Sequence, residues 1–149
     1  MNNTPFSVDT PEESLGFSLW QTTMCWQRRI KKALEPFDIS HAQFVLLAIL
    51  LWWQGKSRVL TQVNLIDYSK LDKMTVSKSL KKLASLGYVT RTEHQTDTRA
   101  KIVNLTAKGT KLAAELVPLV EGIDRKFFGK LNQTHQSALM KILPILTED

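Results

Sequence analysis

Apolar residues along this chain fall mostly at intervals of three and four, the spacing that lines one face of an α-helix. A start signal stands at Thr10-Pro11-Glu12-Glu13: Thr10 can cap, Pro11 suits the first helical position and Glu13 completes a capping box. Leu15, Leu19, Trp26, Ile30, Ala33 and Leu34 then keep helical spacing as far as Pro36, which predicts a long first helix over residues 11–35. Ser40 with Gln43 is a second capping box, and it opens a strongly apolar segment, 41–53, with Phe44, Leu47, Leu50 and Leu51. A helix apolar on most sides is buried on most sides. Arg58-Val59-Leu60 reads as a very short strand.

Thr61 caps a short third helix, with Val63, Leu65 and Ile66 inward, ending near Ser69. After a turn at Lys70-Leu71, Asp72 begins a fourth helix whose inward stripe is Val76, Leu80, Leu83 and Leu86. Its other face carries Lys73, Thr75, Ser77, Lys78, Lys81, Lys82 and Ser85, and Gly87 is placed as its left-handed stop. Two β-like runs follow, 88–92 and 101–105, separated by the polar segment 93–100; they predict a hairpin with a long charged tip. Thr106 caps a fifth helix reaching to about Gly129, in which Pro118 should cause a kink or a break and Gly122 a soft point. Thr134 starts a last helix with Ala138, Leu139, Ile142, Leu143 and Ile145 apolar.

Composition narrows the class. A chain of 149 residues that is 43% hydrophobic can bury an ordinary core, and global disorder is not expected. The longest apolar run, 44–53, is half of what a membrane span requires, so no membrane partner is expected. The first residues lack a basic-then-apolar pattern, and one cysteine cannot build a disulfide framework; both point to the cytoplasm. His41, His94 and His135 are scattered without acidic or thiol partners, there is no glycine-rich phosphate loop, and no metal, cofactor or enzymatic centre is expected.

The net charge of +6 matters less than its placement. Residues 70–101 carry eight basic side chains against Asp72, Glu93 and Asp97, a local charge of +5, while the first 69 residues sum to zero. Alone, that concentration fits a solvated lysine face as well as a footprint for a polyanion. Coupled to the elements, it changes meaning. A short helix, a tight turn, a basic helix and a charged hairpin form a device whose second helix enters the major groove of DNA. Thr75 and Ser77 are short donors for a phosphate or base edge; Lys78, Lys81 and Lys82 reach phosphates or guanine edges. Arg91 lies on the hairpin, Arg99 at its tip suits a neighbouring minor groove, and Asp97 can hold the Arg99 guanidinium.

These residues carry a resemblance. Met74-Thr75-Val76-Ser77-Lys78-Ser79-Leu80-Lys81-Lys82-Leu83, then Leu86-Gly87-Tyr88-Val89, Asp97-Thr98-Arg99-Ala100-Lys101 and Leu105-Thr106-Ala107-Lys108-Gly109 resemble the winged-helix core of the MarR family of bacterial regulators. The likeness extends over about residues 12–146. It implies a mainly α fold with a small β-hairpin wing, a winged helix-turn-helix plus long dimerisation helices. The implied organisation is one domain over 1–149, with 11–35 and 107–147 as dimerisation helices and 40–105 as the DNA-binding core. It further implies an obligate homodimer, a pseudo-palindromic site in double-stranded DNA, and repression as the usual mode. Trp20, Trp26, Phe127, Phe128 and Leu131 on the terminal helices independently favour a dimer, since a monomer would expose them.

The chain also departs from the pattern. Lysines 78 and 82 stand where arginines are frequent, Ser79 where an apolar residue is usual, and Lys81 where an acid is frequent. Lysine lacks the bidentate fork, so recognition leans towards phosphates and strong salt dependence. The resemblance implies a small-molecule pocket between the dimerisation helices and the core, with Trp20, Met24, Phe44 and Trp53 near it; aromatic walls would favour a small aromatic or lipophilic effector. The plainer reading of the same four residues is that they are simply core. Gly16 occupies the place where some relatives carry a sensing cysteine, and Cys25 reads either as packed and inert or, near Arg28 and Arg29, as a reactive thiol. Two other readings of the basic face stay open: docking of an acidic protein, or architectural DNA binding without sequence preference.

Overall fold

The computed structural model of the protein describes residues 3–56, 58–93, 96 and 101–148. Among the described residues six α-helices and one hairpin follow in the order α1 (Leu15–Leu34), α2 (His41–Gln54), α3 (Gln62–Ser69), α4 (Lys73–Ser85), β1 (Val89–Glu93), β2 (Lys101–Leu105), α5 (Ala107–Phe128) and α6 (Gln133–Thr147). The architecture is mainly helical with a two-stranded antiparallel wing.

The starts of the elements follow from local hydrogen bonding. Ser40 accepts from the Gln43 N–H at 3.1 Å while the Gln43 side chain accepts from the Ser40 N–H at 2.9 Å, a reciprocal capping box. Thr61 and Asn64 repeat that arrangement at α3. The first helix starts later than the residue pattern suggests. Pro11–Glu13 is a separate 3-10 turn, and Ser14 caps α1 by accepting from the Phe17 N–H at 3.2 Å. Asn132, two residues before Thr134, caps α6 by accepting from His135 at 2.8 Å. Pro118 lies inside α5 without ending it. The segment 58–60 is not a strand: the Leu60 carbonyl accepts one backbone bond from Val103, and Thr61 makes an isolated bridge with Ile102.

The core lies where α2 is surrounded. Leu46 and Leu47 on α2 are fully buried with Ile30 and Leu34 of α1, Leu65 of α3, Leu80 and Leu83 of α4, Val103 of β2 and Leu116 of α5. Val63 on α3, expected inward, is exposed, because Leu65 and Ile66 alone turn towards α2 and α4. The terminal helices behave differently. Leu15 is 90% and Trp20 61% exposed, and no residue of α6 is buried although Met140, Ile142, Leu143, Ile145 and Leu146 are apolar. Among the described residues no single helix is long and apolar enough to cross a membrane.

Candidate nucleic-acid interface

The second helix of the device is built from its cap. Lys70 adopts a left-handed backbone, φ 61°, which turns the chain sharply between α3 and α4. Asp72 then accepts from the Thr75 N–H at 2.7 Å and from the Thr75 hydroxyl at 2.8 Å. These bonds, the backbone one first, hold the Asp72 carboxyl below its ordinary 3.8. The Thr75 hydroxyl hydrogen therefore serves the cap, and what this hydroxyl offers a nucleic acid is its lone pairs.

Val76, Ser79, Leu80 and Leu83 are buried, so α4 packs along one stripe. At about 100° per residue, Met74, Lys78, Lys81 and Ser85 lie opposite that stripe, with Ser77 on one flank and Thr75 with Lys82 on the other. Ser77 is half-buried, and Lys78 and Lys81 are exposed. Ser79, where the family pattern favours an apolar residue, packs in the buried stripe. Met74, 67% exposed at the middle of the polar face, was not singled out from the residue pattern; its place opposite the buried stripe is the signal that would have found it. An apolar side chain there can meet a thymine methyl.

The helix stops at Leu86. Gly87 (φ 82°) and Tyr88 donate back to the Ala84 and Leu83 carbonyls at 3.0 and 2.9 Å, the double bond of a Schellman end. Thr106 and Lys108 clamp that end. The Thr106 hydroxyl donates to the Gly87 carbonyl at 2.6 Å and accepts from the Gly109 N–H at 3.0 Å; the Lys108 ammonium donates to the Leu86 carbonyl at 2.8 Å and lies 4.8 Å from the centre of the Tyr88 ring. Gly109 is obligatory here, since a Cβ would collide with the Tyr88 carbonyl oxygen. The Leu-Thr and Lys-Gly spacing thus fixes the recognition helix, the wing and α5 as one unit. In the wing, exposed Arg91 pairs in register with Val103. Asp97 and Arg99 lie outside the described residues.

The four effector-pocket candidates are not brought together. Phe44 is in the core, Trp20 is largely exposed, and Trp53 lines a small cavity of about 80 Å³ with Arg58, Leu60 and Asn104. Phe44 and Trp53 sit at opposite ends of α2, nine residues or about 13 Å apart along its axis. Met24 alone of the four lines a larger cleft, of about 570 Å³, walled by Arg28 and Lys31 of α1, by Asp38 and Ile39 of the link into α2, by His41 at the start of α2, and by Lys82 of α4. At its edge Trp26 donates from Nε1 to Asp124 of α5 at 2.8 Å and meets His41 edge-on, ring centres 5.1 Å apart. Burial pushes the His41 pKa below 6.5, and the Asp124 carboxylate pulls it the other way. Cys25 is exposed on α1. Among the described residues no group of three His, Cys, Asp or Glu side chains is placed to hold a metal ion.

A braced basic helix followed by a hairpin defines a winged-helix DNA-binding protein. Residues 35–121 match the family model described as ArnR1-like, winged-helix domain. The chain is 37% identical over 118 residues to the uncharacterized HTH-type transcriptional regulator YdcH of Bacillus subtilis (strain 168), a match that covers 79% of this chain and 80% of that one. The structure superposes on Bordetella bronchiseptica BpsR with a TM-score of 0.85 at 22% identity, over 96% of this chain and 99% of the other. It superposes on a cysteine-to-serine mutant of Escherichia coli MarR complexed with operator DNA with a TM-score of 0.78 at 24% identity, over 90% and 94% of the two chains. The chain belongs to the MarR family of winged-helix transcriptional regulators, and it is a DNA-binding regulator, not an enzyme.

Proposed function

We propose that this protein is a cytoplasmic repressor that binds a pseudo-palindromic operator as a homodimer, and that a small aromatic effector releases it. The observation that carries the reading is the recognition helix: its buried stripe leaves Lys78 and Lys81 pointing outward, next to Ser77 and Lys82, on a helix held at both ends. Lys78, Lys81, Lys82 and Arg91 supply phosphate contacts, Ser77 and Lys78 read base edges, Thr75 offers acceptor lone pairs, and the wing residues Asp97 and Arg99, which lie outside the described residues, are assigned to the adjacent minor groove from the sequence alone.

The dimer reading rests on the terminal helices. The apolar residues of α6 and of the first turns of α1 stand exposed on one chain, and a second copy of this chain covers them most simply. Residues 11–35 and 107–147 then form the dimerisation part and 40–105 the DNA-reading core. A two-fold dimer sets its two recognition helices about one helical turn of DNA apart.

The effector reading rests on the cleft of about 570 Å³ between α1 and the core, a size suited to a small ligand. The DNA binding of BpsR is regulated by 6-hydroxynicotinic acid, an aromatic acid, and that supports the same class here. Of the four aromatic and apolar candidates, Met24 belongs to this site; Trp20, one turn earlier on α1 and exposed, is free to join it, while Phe44 in the core and Trp53 at the other end of α2 lie apart from it.

Selection of bound duplexes from a random library at near-physiological salt tests the function. An inverted repeat with half-sites about one turn apart is expected. Recovery of nothing better than bulk DNA would contradict it and leave an architectural binder or a protein-docking domain.

A further inference from the structure

We propose that Lys82 is shared between the DNA and the effector cleft, so that a monocarboxylate bound in the cleft takes the ammonium away from a DNA phosphate. The inference rests on the effector reading above and adds the route by which the ligand acts.

Lys82 occupies the last turn of the recognition helix, on the flank next to Lys78. From there it reaches two places. One is the DNA side of α4. The other is the cleft, whose wall it forms together with Arg28 and Lys31 of α1. Its Nζ lies 3.9 Å from the carboxylate of Asp38, a residue held in a left-handed backbone (φ 54°) between α1 and α2. The pair is open to solvent, with Lys82 46% and Asp38 88% exposed. Such a pair holds its partners weakly, so the ammonium can be traded to a better anion. The four-carbon stem gives lysine the freedom to swing between the two sides of the helix edge.

The cleft's own chemistry selects the ligand. Arg28, Lys31 and Lys82 face Glu35 and Asp38, which leaves one uncompensated positive charge beside the apolar surfaces of Met24 and Ile39. One carboxylate on a flat apolar body matches both features. A ligand carboxylate and a DNA phosphate would then compete for a single cation. Linkage makes the effect reciprocal: whatever factor the ligand removes from DNA affinity, DNA removes from ligand affinity.

The test uses the full-length protein, the duplex recovered by selection, 4-hydroxybenzoate as probe and its uncharged amide as control. DNA affinity is measured across a salt series with and without saturating acid. For the native chain the acid should weaken DNA binding several-fold and flatten the salt slope by about one counterion per protomer. The amide should do neither. Lys82→Gln should start with the flatter slope, bind the acid more weakly by tryptophan fluorescence, and show no further change in slope. Asp38→Asn, which keeps the lysine and removes its weak competing carboxylate from the cleft, should bind the acid a few-fold more tightly and show the flattened slope at lower acid concentration; unchanged acid affinity would count against the shared lysine. If the acid weakens native and Lys82→Gln binding alike with unchanged slopes, the effector reading stands and the shared lysine is overturned. If the acid does not bind the native chain at millimolar concentration, the choice of a monocarboxylate and the cleft as its site are both overturned.

Discussion

The Thr106 hydroxyl and the Gly87 carbonyl are 2.6 Å apart, and that one bond joins the start of α5 to the end of the recognition helix. The same hydroxyl caps α5 through the Gly109 N–H. Thr106→Val keeps the shape and removes both bonds, and it should cost about 1–2 kcal/mol. Gly109→Ala should cost more, because its Cβ meets backbone rather than a side chain that can move. Urea unfolding checks both: the midpoint should fall with an unchanged slope.

Acid should release the first turn of α4. The Asp72 carboxyl is held below 3.8 by the Thr75 N–H and hydroxyl, so its folded pKa lies under the unfolded one. The stability it contributes is complete above the unfolded value and is lost as pH falls through the lower folded value. Asp72→Asn keeps a capping oxygen at neutral pH and should remove that part of the acid dependence. Unfolding midpoints of the two chains between about pH 5 and pH 2 should converge at the acid end.

The junction of α1, α2 and α5 should loosen on mild acidification. Burial holds His41 below 6.5, so folding favours its neutral form, and the contribution present above 6.5 is lost as pH falls through the lower folded value. Asp124→Asn removes the opposing charge and should lower the His41 pKa further, while keeping a side-chain oxygen for the Trp26 N–H. Titration of the His41 ring protons by NMR reads the direction; a rise in the variant would contradict it.

DNA affinity should depend steeply on salt. Lys78→Ala and Lys81→Ala should each flatten the slope of log affinity against log salt by about 0.9 for every phosphate the lysine neutralises. A residue that reads only a base edge should weaken binding without changing that slope.

What was legible in the sequence was local. Ser40 with Gln43, Thr61, Asp72, Gly87 and Thr106 announce their ends because a cap needs one residue type at one spacing. Thr10 does cap, with Pro11 and the Glu13 capping box in place, but what it opens is the 3-10 turn Pro11–Glu13, and Thr134 lies inside α6; Ser14 and Asn132 are the caps of the two α-helices, and the apolar pattern beyond them suits either start. The basic face of α4 was legible from periodicity. The place of the cleft, between α1 and the core and beside Met24, followed from the resemblance; its charged lining did not, because Asp38 and Lys82 are joined only by the packing of α1, α2 and α4, which no local pattern records. Met74 is not legible as a contact residue, since an exposed apolar residue on a polar face looks like a core residue until the face is known.

Reading of base edges by α4 is tested most directly by repeating the duplex selection with Ser77→Ala and Lys78→Ala. The expected result is an inverted repeat of unchanged spacing whose base preference relaxes at one or two symmetric positions in each half-site. An unaltered motif from both variants would contradict a recognition helix that reads bases through these side chains.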